Sequence, residues 1–409
     1  MTKLERHGWV VVGVLSIALF LLMGTAFDLF GIFLVPLQQH FGWDRAQSSL
    51  LFTAMSLLYA TNMPAAGWLL DRFDARFVMA TGAGFCGIGF VCASLSNSYA
   101  SMMAAYVLIG IGIGLAAYVP VTVVITNWFD RRRGLALGIA LAGEFVGIMV
   151  MAPVLTRTIS TFNWRAGYLT IAALMFVVLL PLTLVIVRTR PSAAQALAHG
   201  HSSFDDQPGM EVREALRSRS FWMIAIAQVC WGCSITGLFI HLAAYMTGVG
   251  YSLDAAALAM SVFAGLGTLG QPLAGGIIDR LGAQLSLVIT FGLMASGALS
   301  LAWAQHISFL SMYIATTGLI ANSPVLMTSM LVADCLGLKR YGSLQGLLGS
   351  AAQFGAAFGP EQSGLIFGHN QELRARFSAA CASPSCWSDS SLRLHPWRRK
   401  AFYRRTCVS

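Results

Sequence analysis

Three ionisable side chains stand inside long apolar runs of this sequence. Asp28 lies in GTAFDLFGIF, Glu144 lies between Gly143 and Gly147, and His241 lies in LFIHLAAY. Ionisable groups at such positions are functional candidates by default, because burying them is costly. A carboxyl there can carry a proton, and a histidine can relay one or bind an anion. The alternatives are an outer vestibule position for Asp28, a helix-contact hydrogen bond for Glu144, and for His241 a neutral ring bonded to a neighbouring helix.

Three amides are the uncharged polar candidates inside the apolar runs. Gln271 lies in GQPLAGG, Asn322 lies in TGLIANSPV beside Pro324, and Asn62 lies in YATNMPAAG beside Pro64. A proline beside each asparagine predicts a broken helix that exposes backbone groups. Each amide can donate to a substrate or join two helices, and the sequence leaves both roles open.

Two copies of one pattern end separate apolar runs at a charged turn. GWLLDRFDAR begins at Gly67 and carries Asp71, and GGIIDRLGAQ begins at Gly275 and carries Asp279. A glycine lets two helices approach closely, and an acid at the membrane edge can accept from the N-terminus of a neighbouring helix. The basic residues of the same turns are Arg72, Arg76 and Arg280. We interpret these residues as a conformational latch, with a topogenic charge cluster as the alternative.

The composition sets the environment of these residues. Of the 409 residues, 11% are charged and 56% are hydrophobic, and the mean hydropathy is +0.69. An ordinary soluble protein has roughly 25% charged residues. The chain is therefore predicted to be an all-α polytopic membrane protein. The net charge of +9 does not indicate nucleic acid, because the basic residues lie in short gaps between apolar runs rather than on one face.

Eleven runs approach or exceed the about 20 residues that a spanning helix needs. They cover approximately 9–36, 47–70, 77–95, 100–126, 134–156, 165–187, 221–247, 254–278, 285–304, 307–334 and 342–368. With a cytoplasmic N-terminus, the outer gaps hold only Arg45, Arg157 and Arg165. The inner gaps hold fifteen basic residues: Lys3, Arg6, Arg72, Arg76, Arg131, Arg132, Arg133, Arg188, Arg190, Arg213, Arg217, Arg219, Arg280, Lys339 and Arg340. This asymmetry predicts a multi-pass protein of the cytoplasmic (inner) membrane with its N-terminus inside.

One interval recurs along the chain and predicts two repeats. The latch copies lie 208 positions apart, since 275 − 67 and 279 − 71 both equal 208. The same interval relates Gly134 to Gly342, Gly138 to Gly346 and Gly147 to Gly355. We predict an N-terminal six-helix bundle at 1–190, a cytoplasmic linker at 191–219, and a C-terminal bundle at 220–376. We call the two bundles the first and second repeats. A parallel repeat of this kind places a binding site at the interface of the halves.

The charged turn carries a family resemblance. GWLLDR at Gly67 to Arg72, with Arg76, resembles the signature loop of the major facilitator superfamily, and the likeness covers about residues 1–376. GIFLVPLQQHFGWDRAQSS, NWFDRRRGLALGIALAGEFVG, and IHLAAYMTGVGYS through GQPLAGGIIDRLG are similar to its bacterial monocarboxylate and oxalate/formate exchanger-like branch. The resemblance implies a two-bundle fold of six plus six helices. It also implies small carboxylates as cargo, carried with a proton or in exchange.

Three departures from the family pattern bear on the cargo. That branch commonly has an arginine where Gln271 stands, so a charge that would pair with a carboxylate is absent. Tyr106 takes the place of a frequent arginine before Gly110, and the drug-exchanger motif of span 5 is missing at Gly143 to Gly147. The first departure favours a neutral or amphipathic solute as the alternative cargo, and the last weakens a drug-efflux interpretation.

The chain leaves the repeat pattern near its end. The start of span 6 at Arg165 is matched by a similar stretch at Arg374, one residue off the repeat interval. SPSCWSDSSLRLHPWRRKAFYRR then follows, where about 20 apolar residues are required. We expect the twelfth span to be missing or degenerate, with a basic tail at 377–409 in its place. A tail that folds back as an interfacial helix is the alternative.

These observations predict a secondary active transporter for a small organic anion, a monocarboxylate or dicarboxylate, that works by alternating access. Its partners would be that anion, a proton or counter-anion, and the lipid bilayer. A non-transporting or inactive truncated membrane protein is the alternative from another class. We expect no enzyme activity, cofactor, metal or nucleic-acid partner. GAGFCG at 82–87 fits a dinucleotide motif, but no strand precedes it.

Overall fold

The computed structural model describes residues 3–129, 131–189, 209–301 and 306–359. Within them the chain is helical, and its only β-type pairing is an isolated bridge between Gly209 and Gly337. The helices are α1 (Lys3–Leu19), α2 (Phe30–Phe41), α3 (Arg45–Leu70), α4 (Ala75–Leu95), α5 (Tyr99–Ala116), α6 (Tyr118–Trp128), α7 (Arg133–Thr161), α8 (Trp164–Leu174), α9 (Leu180–Ile186), α10 (Val212–Ala215), α11 (Arg219–Val249), α12 (Leu253–Leu281), α13 (Ala283–Ser300), α14 (Ile307–Ile320), α15 (Ser323–Leu336) and α16 (341–359).

Eight helical segments of the described residues are long and apolar enough to cross a membrane. They are Arg6–Phe41, Ala75–Leu95, Tyr99–Trp128, Arg133–Thr161, Trp164–Ile186, Leu258–Leu281, Ala283–Ser300 and Ile307–Leu336. The other predicted spans, at 47–70, 221–247 and 342–368, fall on α3, α11 and α16, and these are helical as far as the structure describes them. The chain is therefore an all-α polytopic membrane protein.

Three spans are interrupted, and one predicted break is absent. Span 1 is interrupted at Asp28 and Leu29, between the π-helical segment Phe20–Phe27 and α2. Span 4 is divided between α5 and α6 at Ala117, and span 10 is divided between α14 and α15. Pro324 suits the first turn of α15 because proline has no N–H to donate there. The break predicted beside Asn62 is wrong, since α3 continues past Pro64.

A hydrogen bond from another helix accompanies the unbroken course of α3 at Pro64. A proline within a helix deprives the carbonyl four residues earlier of its N–H donor. For Pro64 that carbonyl belongs to Ala60, and the Ser350 hydroxyl of α16 donates to it at 2.6 Å. Such outside donors allow a proline inside a membrane helix without a break.

Two close helix crossings join the first repeat to the second. Gly67 of α3 faces Gly342 of α16, and Gly275 of α12 faces Gly134 of α7. A Cβ on Gly67 or Gly275 would collide with the carbonyl of its partner glycine. The interval is the predicted one, because 275 − 67 and 342 − 134 both equal 208. The two crossings are therefore equivalent contacts between the repeats.

The end of the predicted linker contacts the turn before α16. The Glu211 carboxylate pairs with Lys339 Nζ at 3.1 Å and Arg340 Nε at 3.2 Å, while the Met210 N–H donates to the Leu336 carbonyl. Linker residues 191–208 and the expected tail at 377–409 lie outside the described residues.

Candidate functional site

A single carboxylate oxygen collects hydrogen bonds from both repeats. The Tyr118 hydroxyl donates to Glu144 Oε2. The Asn322 side-chain N–H donates to the same oxygen at 3.0 Å, and also to the Tyr118 oxygen at 3.3 Å. Tyr118 and Glu144 belong to the first repeat and Asn322 to the second, so the cluster bridges the two repeats.

Small residues place Glu144 at a close helix crossing. On α7, Gly143 lies against the Ser16 carbonyl of α1, and Gly147 lies against the Phe20 carbonyl at the start of the π-helical segment that follows α1. A side chain at either glycine would push the helices apart. The Glu144 side chain is consequently buried, with 7% of the residue exposed.

The two donors sit at the breaks in spans 4 and 10. Tyr118 is the first residue of α6, and it packs against a buried cluster of the second repeat that includes Trp231 and Val325. Asn322 lies between α14 and α15, and the preceding carbonyl, of Ala321, accepts from the Trp231 indole at 2.9 Å. Each break therefore presents one polar donor at the boundary between the repeats.

Asp28 completes the cluster from the first span. It ends the π-helical segment Phe20–Phe27, and its carboxyl lies close enough to that of Glu144 for the two to interact electrostatically. Asp28 is exposed whereas Glu144 is buried. Two carboxyls in contact repel when both are ionised, so such a pair holds a proton. No lysine or arginine among the described residues interacts with Glu144. The cluster can therefore hold and pass a proton.

The structure unites some of the predicted site residues and separates others. Asp28, Glu144 and Asn322 come together. Asn62 stays apart, since its amide donates to the Leu58 carbonyl of its own helix at 2.8 Å. Gln271 is fully buried, and its amide has no hydrogen-bond partner among the described residues. His241 lies on α11, and its side chain is outside what the structure describes.

The acids of the charged turns cap helices of the opposite repeat. The Asp71 carboxylate accepts from the backbone N–H groups of Gly342 at 3.0 Å and Ser343 at 3.1 Å, at the start of α16. The Asp279 carboxylate accepts from Gly134 at 2.7 Å and Leu135 at 3.0 Å, at the start of α7. These are the N-terminal N–H groups that a helix leaves without partners.

Burial and hydrogen bonding act in opposite directions on Asp71. Burial raises the pKa of the Asp71 carboxyl, and the hydrogen bonds from Ser343 and Gly342 and the charge of Arg340 lower it. The shift is upward in sum, so burial is the larger effect.

The arginines of the same turns make other contacts. The Arg72 guanidinium lies 4.0 Å from the centre of the Trp68 ring, and that of Arg76 lies 4.5 Å from the Phe77 ring centre. Arg76 also lies 4.0 Å from the Asp74 carboxylate. Arg280 is exposed. The helix-capping contacts described above are thus made by the acids.

Sequence reasoning missed Tyr118 as a site residue. The sequence around Tyr118 does favour a helix break, with the glycines of GIGIG just before it and Pro120 just after it. Tyr106, noted only as a departure from the family pattern, shares a buried hydrogen bond with Tyr168 at 2.6 Å. It lies outside the Glu144 cluster.

Comparisons with known proteins agree with this architecture. A family model described as Major Facilitator Superfamily matches residues 15–360. The chain is 26% identical to human Monocarboxylate transporter 11, over 90% of this chain and 79% of that protein. It is 23% identical to the Oxalate:formate antiporter of Oxalobacter formigenes, over 64% of this chain and 61% of the antiporter. The crystal structure of a double tryptophan mutant of XylE matches with a TM-score of 0.74 at 15% identity, over 91% of each chain.

Proposed function

Because this chain belongs to the Major Facilitator Superfamily, we propose that it is a secondary active transporter that moves a small organic anion, a monocarboxylate or dicarboxylate, across the cytoplasmic membrane. Transport is driven by a proton or by exchange with another anion. The observation that carries the proposal is the buried Glu144 carboxyl, which Tyr118 and Asn322 hold between the two repeats.

The carboxyl cluster supports proton coupling. Glu144 is buried and Asp28 is exposed, so a proton can reach the inner carboxyl through the outer one. Ionisable groups inside a membrane protein typically mark ion and proton pathways. Here the inner carboxyl also bonds to the opposite repeat, so its protonation would change a contact that must break when the repeats move.

The two helix caps support alternating access. Asp71 and Asp279 each join one repeat to the other, and both caps are engaged in this structure. A rocking motion that opens this end would release both caps together. We propose that Gly67, Asp71, Gly275 and Asp279 form the latch, while Arg72, Arg76 and Arg280 orient the turns at the membrane surface.

The cargo class draws support from the relatives, whose names include a monocarboxylate transporter and an oxalate:formate antiporter. A neutral or amphipathic solute is the second candidate. It is favoured by Gln271, a buried amide without a hydrogen-bond partner among the described residues, at a place where an arginine would suit a carboxylate.

The organisation of the chain follows from the same proposal. The first bundle comprises residues 1–190, the linker 191–219, and the second bundle 220–376. The basic residues counted above favour a cytoplasmic N-terminus in the inner membrane.

Uptake into proteoliposomes tests the proposal. Radiolabelled carboxylates, sugars and amines would be offered with and without an imposed pH gradient. We expect accumulation of at least one carboxylate when the outside is acidic. Accumulation of sugars or amines alone would reject the anion and support the second candidate.

A double variant tests the coupling route. Asp28→Asn with Glu144→Gln removes both titratable carboxyls, so uptake driven by a pH gradient should be lost while exchange of cargo for cargo continues. Uptake that still follows the gradient in this variant would remove both carboxyls from the mechanism and leave His241 as the next candidate.

A further inference from the structure

The two donors on Glu144 are suited to a carboxylate ligand. The Tyr118 O–H and the Asn322 N–H converge on one carboxylate oxygen, Glu144 Oε2. Hydrogen bonds to an ionised acceptor are roughly twice as strong as neutral ones. Both donors are side chains at helix breaks.

The acceptor is supplied by the protein itself. Glu144 is a carboxylate at the end of a short side chain, and it occupies the point where the two donors meet. An incoming carboxylate cannot share that point with an ionised Glu144, because the two charges would repel in a buried setting. The described residues bring no lysine or arginine to Glu144 that could offset a second negative charge.

We propose that Tyr118 and Asn322 form the binding site for the carboxylate of the cargo, and that the Glu144 carboxylate is a resident competitor that vacates the site on taking up a proton. The assignment rests on the proposed function and specifies how that function would be carried out.

The titratable groups around Glu144 are compatible with the replacement of its carboxylate by that of the cargo. The titratable side chains that face it are Asp28 at the end of the π-helical segment, Tyr118 of α6 and Tyr59 of α3. The described parts of α12 and α15, which also pack on α7, direct no titratable side chain towards it. One proton on the pair of Asp28 and Glu144 relieves the repulsion between the two carboxylates, and a second proton leaves the pair uncharged.

The exchange keeps the charge of the site constant. The empty site holds one proton and the charge of Glu144, and the loaded site holds two protons and the charge of the cargo. One proton therefore accompanies each carboxylate group. The cargo carboxylate also replaces Glu144 as the acceptor for Tyr118 of the first repeat and Asn322 of the second. Cargo would therefore bind at a contact between the two repeats.

Binding to purified protein in detergent tests the assignment. The probes are radiolabelled benzoate, pyruvate and oxalate, measured between pH 5.5 and pH 8. Wild-type affinity should rise on acidification by up to about tenfold per pH unit, since one proton is taken up for each ligand. Glu144→Gln mimics the protonated carboxyl and keeps its shape, so its affinity should be high and nearly independent of pH.

The donors are tested by removal. Tyr118→Phe and Asn322→Ala should each weaken binding by about tenfold or more at the acidic end of the range, where protonated Glu144 no longer competes, the loss expected for a hydrogen bond to a charged group. The loss should be smaller at pH 8, because ionised Glu144 loses the same hydrogen bond. The matched control is the double variant Tyr106→Phe with Tyr168→Phe, which removes a buried hydroxyl pair elsewhere and should bind as wild type.

The outcomes separate this assignment from the proposed function. Wild-type protein that binds none of the three probes and accumulates no carboxylate overturns both. Wild-type protein that binds a probe, with Glu144→Gln keeping the wild-type pH dependence, overturns the competitor role alone. Unchanged affinity in both Tyr118→Phe and Asn322→Ala overturns the site.

Discussion

The chemistry of the molecule concentrates on a few polar residues whose partners lie far away in sequence. Glu144 meets Asn322 across 178 positions, and Asp71 meets Gly342 across 271. Inside a bilayer a polar group cannot form hydrogen bonds to water, so leaving it without a protein partner costs several kcal/mol. Each of these contacts links residues of the two repeats.

A residue outside the spans offers a test by pH. Lys339 and Arg340 lower the pKa of Glu211 below its ordinary value of 4.5, because both cations hydrogen-bond to the ionised carboxylate. A depressed carboxyl pKa gives a contact that is present at neutral pH and is lost as pH falls through the lowered value. We expect Glu211→Gln to speed exchange of the Met210 amide hydrogen at pH 7.

The pH and salt dependence supply the control for this prediction. Hydrogen exchange, corrected for its intrinsic pH dependence, should become the same in wild type and Glu211→Gln below the lowered pKa of Glu211. High salt should also reduce the difference, since the Debye length falls to about 3 Å at 1 M. Equal exchange of the Met210 amide at pH 7 in low salt would show that the ion pairs do not hold this segment.

At the level of elements, helix ends and helix crossings connect the repeats. The starts of α7 and α16 are capped by acids from α12 and the end of α3, and the same helix pairs cross at facing glycines. A helix N-terminus carries partial positive charge, so a carboxylate there is favourable. A small side chain at the crossing is what lets the carboxylate reach the helix end.

The caps are tested by neutral variants. Asp71→Asn and Asp279→Asn replace a carboxylate oxygen by an amide nitrogen, which faces a backbone donor instead of accepting from it. The loss should destabilise the engaged state and slow turnover by about tenfold, with cargo affinity from the opposite side little changed. The measurement is the initial uptake rate per inserted protein.

The matched control for the caps lies in the same turn. Asp74 caps α4 within its own repeat, through the Arg76 N–H at 3.1 Å. Asp74→Asn should therefore retain more turnover than Asp71→Asn. Wild-type rates in both Asp71→Asn and Asp279→Asn would make those acids topogenic charges only.

Alanine substitutions at two adjacent glycines test the close helix crossing. A methyl group on Gly275 would meet the Gly134 carbonyl, whereas one on Gly276 meets nothing within 4 Å. Gly275→Ala should lower stability by about 1–3 kcal/mol, the usual cost of overpacking, and Gly276→Ala should not. Thermal unfolding in detergent compares the two, and equal melting temperatures would argue against a close crossing.

At the level of the whole molecule, the basic residues and the latch turns share one end. Asp71, Asp279 and Arg132 belong to turns that the charge asymmetry assigns to the cytoplasm. Asp71 and Asp279 both cap helices of the opposite repeat, so the two repeats are in contact at this end. We therefore expect cargo to enter from the opposite side.

Orientation is tested by labelling in intact cells. A cysteine at Arg132 should react with a membrane-impermeant maleimide only after permeabilisation, and one at Arg157, at the other end of α7, should react from outside. A cysteine-less background is needed because Cys92 and Cys230 are exposed. Labelling of Arg132→Cys from outside would reverse the orientation.

The sequence alone determined the fold class, the repeat and the candidate acids. Composition required a membrane, the 208-residue interval located the latch copies, and isolated carboxyls in apolar runs identified Asp28 and Glu144. These are local properties that depend on residue type and spacing. In the structure Gly67 and Gly275, which this interval relates, each lie against a glycine of the other repeat.

Only the tertiary structure decided which polar groups meet. Asn62 and Asn322 both stand beside a proline, yet α3 continues past Pro64, where the Ser350 hydroxyl donates to the Ala60 carbonyl, while span 10 breaks at Asn322. Tyr118 gained its role because a break in span 4 brings it to Glu144. A hydrogen bond needs a partner at a particular point in space, and helix packing across hundreds of residues sets that point.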